Sequence, residues 1–216
     1  MNLSKRLHQI YELVPTGSRL ADIGTDHGLL IIKCLEENVC TFAYGLDIAK
    51  QPLDAARANL VRFGFEERCE LVLGNGLEPF KGEANCFVAA GMGAETIWGI
   101  IALYPFKETD TIILQSNTKN PWLRKQVTHH GFNIIDERFL IDKGMPVTIL
   151  VIQKNGNSHD LTETEAVIGP VLIKNINDDY RNYLTERMQH LATIHHHDVS
   201  LRQEFDIISE IVRKEC

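Results

Sequence analysis

Short apolar runs alternate with segments of helical periodicity between residues 19 and 153, and this alternation limits the possible folds more than any other feature. Runs rich in β-branched residues predict buried strands, whereas apolar residues spaced three and four apart predict helices. Such alternation implies an α/β fold, with a mostly parallel sheet and helices on both faces. The predicted strands are 19–23, 41–47, 69–73, 86–90, 111–115, 132–141 and 147–153, and the predicted helices are 2–14, 29–37, 52–63, 95–103 and 121–130.

The last two predicted strands are joined without a helix. Gly144 and Pro146 indicate a tight turn between them. Because a tight turn joins antiparallel strands, we expect at least one of the two to be an antiparallel strand at the edge of the sheet.

A change of composition marks the end of this α/β region. The segment 154–160 is polar and rich in turn-forming residues, which indicates a boundary between an α/β domain, residues 1–155, and a tail, residues 160–216. Apolar residues recur at three- and four-residue spacing on two segments of the tail, which is typical of a coiled-coil-like helical hairpin. The break between its helices is expected around 195–200, with His195 to His197 in the connection.

Charge and cysteine content exclude several classes of protein. The chain has 22 Lys and Arg against 29 Asp and Glu, a formal net charge of −7, which argues against a broad nucleic-acid-binding surface but allows a local basic patch. Its five cysteines form no C-x-x-C pair, so we expect neither a zinc site nor a disulfide framework. No segment resembles a signal peptide or a membrane span. We therefore expect a cytoplasmic protein without a metal ion, and nothing indicates an obligate protein partner.

The strongest functional signal follows the first predicted strand, where Asp22, Gly24 and Gly28 stand in the order D-x-G-x-x-x-G directly before a helix. Glycines at such a turn let a ligand approach the backbone closely. The dinucleotide fingerprint G-x-G-x-x-G is absent, and the spacing resembles the D/E-x-G-x-G-x-G loop of class I methyltransferases, with Asp26 in place of the middle glycine. Two carboxylates would repel a pyrophosphate but attract a cationic sulfonium and amino group. The alternative is an ordinary strand-to-helix turn.

Two more polar sites follow the second and third predicted strands. Asp47 ends the second strand, where a carboxylate can accept both ribose hydroxyls of a nucleoside or, alternatively, cap the helix predicted from Pro52. Asn75 and Gly76 follow the third strand and can contact an adenine edge or form a plain turn. Sites at the carboxyl ends of successive strands fit the rule for ligand binding in open α/β sheets.

The fourth and fifth predicted strands end in small and polar residues. Residues 89–93, Ala-Ala-Gly-Met-Gly, form a shallow floor for a bulky group or allow close packing of a helix. The D/N-P-P-Y/F motif of many amino-methyltransferases is absent there. Gln115, Ser116 and Asn117 place three polar groups on the same rim, where an amide can read a base edge or cap the next helix.

Several motifs together resemble one bacterial family. They are DIGTDHG at 22–28, GNGL at 74–77, AGMG at 90–93, and LQSN at 114–117 followed by a W-L-R helix. Their order and spacing over residues 1–155 resemble the tRNA (adenine-22-N1)-methyltransferase family, TrmK, as does the helical tail. The resemblance implies a Rossmann-like class I methyltransferase domain with a C-terminal helical hairpin, S-adenosyl-L-methionine as cofactor and tRNA as substrate.

The chain departs from the family pattern at several positions. Gly28 and Leu29 stand in a segment where the family has D-H-A-Y-L-P, Ala94 replaces a second glycine, and Ser116 replaces the proline of Q-P-N. Met145 and Pro146 lie where the family has K-x-Y-E-I. Aromatic residues that can stack on a base are therefore missing from two of these segments.

The resemblance gives roles to the residues singled out above. N1 of adenine attacks without losing a proton and becomes cationic, so catalysis rests on positioning and electrostatics. Asp26 is the candidate for stabilising that charge, His27 for orienting the base, and Asn117 or Gln115 for holding the adenine amino edge. The predicted cofactor-binding residues are Asp22, Gly24, Thr25, Asp26, Gly28, Asp47, Ile48, Asn75, Gly76, Gly91 and Met92.

Basic side chains on the first helix and on the helix after the fifth strand are the predicted RNA contacts, although solvated helix faces have the same composition. They are Lys5, Arg6, Lys119, Arg124 and Lys125. Two other functions stay open, namely a methyltransferase of a small molecule or protein, and a catalytically silent module that binds the cofactor or RNA. An NAD-dependent oxidoreductase is disfavoured because G-x-G-x-x-G is absent.

Overall fold

The computed structural model describes residues 3–194 and 198–214, which form a seven-stranded sheet flanked by helices. The strands are β1 (Ser18–Ile23), β2 (Cys40–Asp47), β3 (Cys69–Leu73), β4 (Cys86–Met92), β5 (Thr111–Ser116), β6 (Phe132–Asp142) and β7 (Met145–Lys154). The helices are α1 (Lys5–Leu13), α2 (Leu29–Glu36), α3 (Lys50–Phe63), α4 (Ala94–Ile101), α5 (Asn120–His129), α6 (Glu163–Ile168), α7 (Asp178–Ile194) and α8 (Val199–Lys214). The predicted α/β class and all seven predicted strands are confirmed.

The strand order is β3-β2-β1-β4-β5-β7-β6, with β1 to β5 parallel. The edge position that we expected for an antiparallel strand is held by β6, which pairs antiparallel with β7. Strand β7 also pairs antiparallel with β5, so the strand that runs against all the others lies one place inside the edge. The strand that follows β1 in sequence, β2, lies on one side of the β1–β4 pair, and the strand that follows β4, β5, lies on the other side. This reversal of direction opens a crevice at the carboxyl ends of β1 and β4.

Two helix starts differ from the predicted ones by more than one residue, for local reasons. Helix α1 begins at Lys5 because the Ser4 side chain caps it, accepting the Leu7 N–H at 3.2 Å. Helix α3 begins two residues before the predicted Pro52, since a proline in the first turn loses no intrahelical hydrogen bond.

The two C-terminal helices pack against each other, as expected for the hairpin. Tyr180, Leu184 and Leu191 of α7 and Ile208 of α8 are buried in one apolar cluster. The predicted connection at 195–197 lies outside the described residues. The short helix α6 was not predicted; Thr162 and Glu165 form a capping box at its start.

The tail is hydrogen-bonded to a buried ion pair between α5 and β6. Arg124 of α5 donates through Nε to Glu137 of β6 at 2.7 Å, and the two side chains are 2% and 0% exposed. Arg124 also donates to the Ala166 carbonyl oxygen at 2.9 Å, while Glu137 accepts the Val171 N–H at 2.8 Å. The segment 166–171 therefore completes the hydrogen bonding of charges that lie within the α/β part.

Candidate active site

The loop after β1 is folded tightly against the neighbouring strands. Gly24 and Thr25 both donate their backbone N–H to the Leu46 carbonyl oxygen, at 2.8 and 3.0 Å. Gly24 has φ +76, a left-handed conformation that favours glycine, and a Cβ atom there would also displace the terminal methyl group of Met92. Asp26 has φ +52, a left-handed conformation that aspartate tolerates better than most residues. This backbone explains why Asp26 can stand where the related loops have a glycine.

Asp22 lies beneath this loop and is buried, accepting a hydrogen bond from the Thr25 hydroxyl at 2.9 Å. Burial raises its pKa to about 6; the Thr25 hydrogen bond opposes the rise, and repulsion from Asp47 and Asp26 adds to it. In the described structure no Lys or Arg forms an ion pair with any of these three aspartates. The carboxyl ends of β1 and β2 thus form a negatively charged site that suits a cation.

Asp47 ends β2 and accepts the Ala49 N–H at 2.9 Å. The capping residue of α3 is Ala49, so the alternative role of Asp47 as a helix cap is not observed. Its neighbour Ile48 is 71% exposed, an unusual position for a large apolar side chain and one suited to contact with a planar ligand.

Asn75 and Gly76 follow β3 on the same edge of the sheet. The Asn75 amide donates to Glu78 at 3.0 Å. Asn75 also borders a wide groove of about 730 Å³ between residues 75–82 and α4. Gly76 has φ +54, which agrees with its interpretation as a turn residue. The Asn75 side chain is exposed and is therefore accessible to a ligand.

Strand β4 ends in a bulge at Gly91, where its pairing with β5 shifts. The Gly91 N–H donates to the Gln115 side-chain oxygen at 3.0 Å, and the Gly91 carbonyl oxygen accepts from the Asn117 amide at 2.9 Å. Gln115 also donates to Asn117 at 3.1 Å. These bonds fix the exposed Asn117 at the rim, next to the end of β4.

Gln115 itself is 1% exposed, and its oxygen also accepts from Arg6 at 2.9 Å. Its side chain is buried and its oxygen accepts two hydrogen bonds inside the protein, so the structure contradicts the hypothesis that Gln115 holds a base edge. Asn117 is the remaining candidate for that role.

Asp26 and His27 are both exposed, and His27 Nε2 lies 3.6 Å from Asp26 Oδ1. A crevice of about 80 Å³ lies beside them, bordered by Arg6, Asp22 and Gly24 among others. We call this space the β1 crevice. It brings α1, the loop after β1 and the end of β4 together, which the sequence did not indicate.

The predicted RNA-binding residues do not form one surface. Lys5, Lys119 and Lys125 have accessible side chains, although Lys119 pairs with Glu95 at 2.6 Å and Lys125 with Glu163 at 2.7 Å. Arg124 is buried with Glu137, so the structure contradicts its predicted phosphate contact. Arg6 is turned inward: its Nη1 donates to Gln115 and lies 2.8 Å from where a Gly91 Cβ would be. Arg6 therefore orders the rim, and this role was missed because its partner is 109 residues away.

Two absences among the described residues bear on other functions. No group of three or more His, Cys, Asp or Glu side chains is arranged to hold a metal ion within residues 3–194 and 198–214. In the same part of the chain, no helix has the length and apolar character that crossing a membrane requires.

Comparison with known proteins agrees with this geometry. Residues 3–150 match the family model described as a methyltransferase domain. A Bacillus subtilis (strain 168) protein named tRNA (adenine(22)-N(1))-methyltransferase is 29% identical over 202 residues, covering 90% of this chain and 85% of that protein.

Two solved structures extend the similarity to the tail. Streptococcus pneumoniae Sp1610 in complex with S-adenosyl-L-methionine has a TM-score of 0.89 and 26% identity, covering 98% of this chain and all of that chain. M. capricolum TrmK in complex with S-adenosyl-homocysteine has a TM-score of 0.85 and 28% identity, covering 98% of both chains. The chain therefore belongs to the methyltransferase-domain family. The sequence comparison and the structural comparison both place it with TrmK within that family.

Proposed function

We propose that this protein transfers a methyl group from S-adenosyl-L-methionine to N1 of adenine 22 in tRNA. The observation that carries the proposal is the negatively charged crevice beside an amide-bearing rim, in a chain similar over its length to proteins of that activity. Such a substrate is found in the cytoplasm, where we propose that the protein works.

The residues present fit the cofactor. Asp22 and Asp26 face the β1 crevice and suit the cationic amino and sulfonium groups, while Asp47 suits the ribose hydroxyls. Ile48 offers an exposed apolar side chain for an adenine face, and Asn75 a side-chain amide for its edge. The remaining predicted contacts, namely Thr25, Gly28, Gly76, Gly91 and Met92, line the same carboxyl edge of the sheet.

The mechanism needs positioning rather than proton removal. When bound, the cofactor supplies a methyl group on a sulfonium that a nitrogen lone pair can displace. Asn117 has one amide hydrogen and one oxygen lone pair beyond its bonds to Gly91 and Gln115, so it can hold the adenine amino edge. Asp26 stabilises the positive charge that develops on the ring. His27, beside Asp26, helps to orient the base.

Contacts with RNA phosphates are assigned to the exposed lysines only. Lys5 lies on α1, Lys119 precedes α5 and Lys125 lies within it. Exposed ion pairs are weak and screened, so the partners of Lys119 and Lys125 do not prevent them from turning to a phosphate. A base paired within tRNA must also be exposed before it reaches the crevice.

Incubation with labelled S-adenosylmethionine tests the choice of substrate. Separate reactions contain total tRNA, a protein extract and a metabolite pool. We expect label in tRNA alone; label only in protein or metabolites selects the alternative methyltransferase, and cofactor binding without transfer selects the silent module.

Asp47→Ala tests the cofactor site. S-adenosylmethionine binds the native state only and should raise Tm, and the variant should lose most of this rise because the ribose acceptor is gone. Asp54→Ala, which removes an exposed carboxylate of α3, is the matched control and should keep it. A full rise of Tm in a folded Asp47→Ala protein contradicts the placement of the ribose.

A further inference from the structure

We propose that a cleft between the sheet and the C-terminal helices binds an unpaired tRNA base next to the methylated adenine. This inference rests on the proposed function and adds a second base-binding site to it. The cleft has a volume of about 310 Å³ and lies between the start of α5, the facing parts of β6 and β7, and helices α7 and α8. We call it the hairpin cleft.

The hairpin cleft is continuous with the catalytic rim. Asn117 borders it, and the same side chain donates to the Gly91 carbonyl oxygen at the end of β4. A nucleotide held at Asn117 therefore has its neighbour in the chain within reach of the cleft. Pro146, at the start of β7, forms part of the cleft wall at the edge of the sheet where β5 ends.

The charges in the cleft wall favour a neutral ligand. The wall contains four charged residues, and each has an ion-pair partner: Lys119 with Glu95, Arg124 with Glu137, and Arg187 with Glu204. Arg187 uses two nitrogens for both Glu204 oxygens, at 2.8 and 2.9 Å. Arg124 is buried with its partner and Arg187 is already bidentate, so the interior of the cleft offers little to a phosphate and suits an uncharged base. Lys119, whose pair with Glu95 is exposed and weak, lies at the border of the cleft and stays available to the backbone phosphate of the bound nucleotide.

The uncharged part of the wall matches a nucleobase. Tyr183 is half-buried, and its ring centroid lies 5.0 Å from that of Phe139 and 6.1 Å from that of Tyr180. Aromatic side chains of this kind are the usual stacking platform for unpaired bases. This group lies on α7 and β6, away from the two segments where the family's aromatic residues are missing.

Asn120 supplies a hydrogen-bonding group in the same wall. Its side-chain oxygen is buried and has no hydrogen-bond partner in the described structure, which is unfavourable unless a ligand supplies a donor. An exocyclic amino group is such a donor, and adenine, guanine and cytosine carry one whereas uracil does not. The expected ligand is therefore an amino-bearing base.

Abasic substitution in the tRNA tests the hairpin cleft. Synthetic tRNAs carry an abasic residue at one nucleotide flanking the methylated adenine at a time, and binding is measured with the wild type, Tyr183→Phe and Tyr183→Ala. One abasic position should weaken binding by the first two proteins about tenfold. Tyr183→Ala should bind intact tRNA about tenfold more weakly and should not distinguish that abasic tRNA. Its affinity for S-adenosylmethionine should equal that of the wild type.

A uridine at the sensitive position provides a second measurement. The wild type should bind this tRNA more weakly than the amino-bearing original, and Asn120→Ala should lose the preference; this arm also serves if Tyr183→Ala does not fold. If the wild type methylates tRNA but binds every abasic tRNA as tightly as the intact tRNA, the inference is overturned and the proposed function stays intact. A wild type that methylates no tRNA overturns the proposed function itself, and the inference with it.

Discussion

Among single residues, Asp22 shows how surroundings set a property that the sequence does not display. Burial raises its pKa from 3.8 to about 6, with a smaller opposing effect of the Thr25 hydrogen bond. The folded protein therefore holds this proton more tightly than the unfolded chain. Asp22 lowers the free energy of unfolding at neutral pH, and this loss disappears as the pH falls from about 6 to 3.8.

Cofactor affinity should depend on pH through Asp22. A cationic ligand favours the ionised carboxylate, so the affinity for S-adenosylmethionine should fall as the pH drops below about 6. Calorimetric titration should show about a tenfold loss per pH unit in that range. Asp22→Asn, which removes the titrating group, should flatten this dependence. A wild-type affinity that stays constant across the range contradicts the contact with the cofactor's cationic end.

Asp26→Ala should reduce turnover more than cofactor affinity. Asp26 is 71% exposed on its side chain, so solvent screens its charge and we expect a loss of about tenfold in kcat, less than a fully enclosed group gives. The measurement is turnover at saturating tRNA and cofactor, with cofactor Kd determined separately. Wild-type turnover in the variant would show that Asp26 has no electrostatic role.

At the scale of elements, periodicity identifies strands and helices but not which polar side chain each one buries. The continuous apolar runs at 86–89 in β4 and 112–114 in β5 predicted their burial, because a parallel sheet is covered on both faces. Arg124 looked like one of several exposed basic residues of α5, since nothing near it in the sequence reveals Glu137 on β6. The hydrogen bond from Arg6 to Gln115 was not predicted for the same reason, because the two residues lie on elements distant in sequence.

The two neighbouring basic residues of α5 allow a matched test of burial. Arg124→Ala leaves Glu137 buried without its partner, which should lower the free energy of unfolding by about 3–5 kcal/mol. Lys125→Ala removes a pair with Glu163 whose side chains are 40% and 51% exposed, and it should cost about 1 kcal/mol or less. Denaturant unfolding of both variants measures the difference. Equal losses would mean that the buried pair contributes no more than the surface pair.

For the whole molecule, the rule that ligands bind at the carboxyl ends of parallel strands brought Asp22, Asp47, Asn75 and Gly91 to one edge from sequence alone. The hairpin cleft was not predictable, because it depends on how the tail packs against α5 and β6. The tail also supplies backbone partners to Arg124 and Glu137. Deleting it after Lys154 would therefore disturb the α/β part, so point substitutions in the cleft are the sharper probe of RNA binding.

Mass analysis of nucleosides from tRNA methylated by the purified protein tests the proposed methyl transfer to N1 of adenine 22. Digestion of the product, followed by fragment mapping, gives both the modified atom and its position. We expect 1-methyladenosine at adenine 22 alone, since the rim lacks a D/N-P-P-Y/F motif for an exocyclic amine and Asp26, beside the crevice, suits the positive charge that methylation of N1 leaves on the ring. N6-methyladenosine, or a methylated nucleoside at another position only, would contradict it.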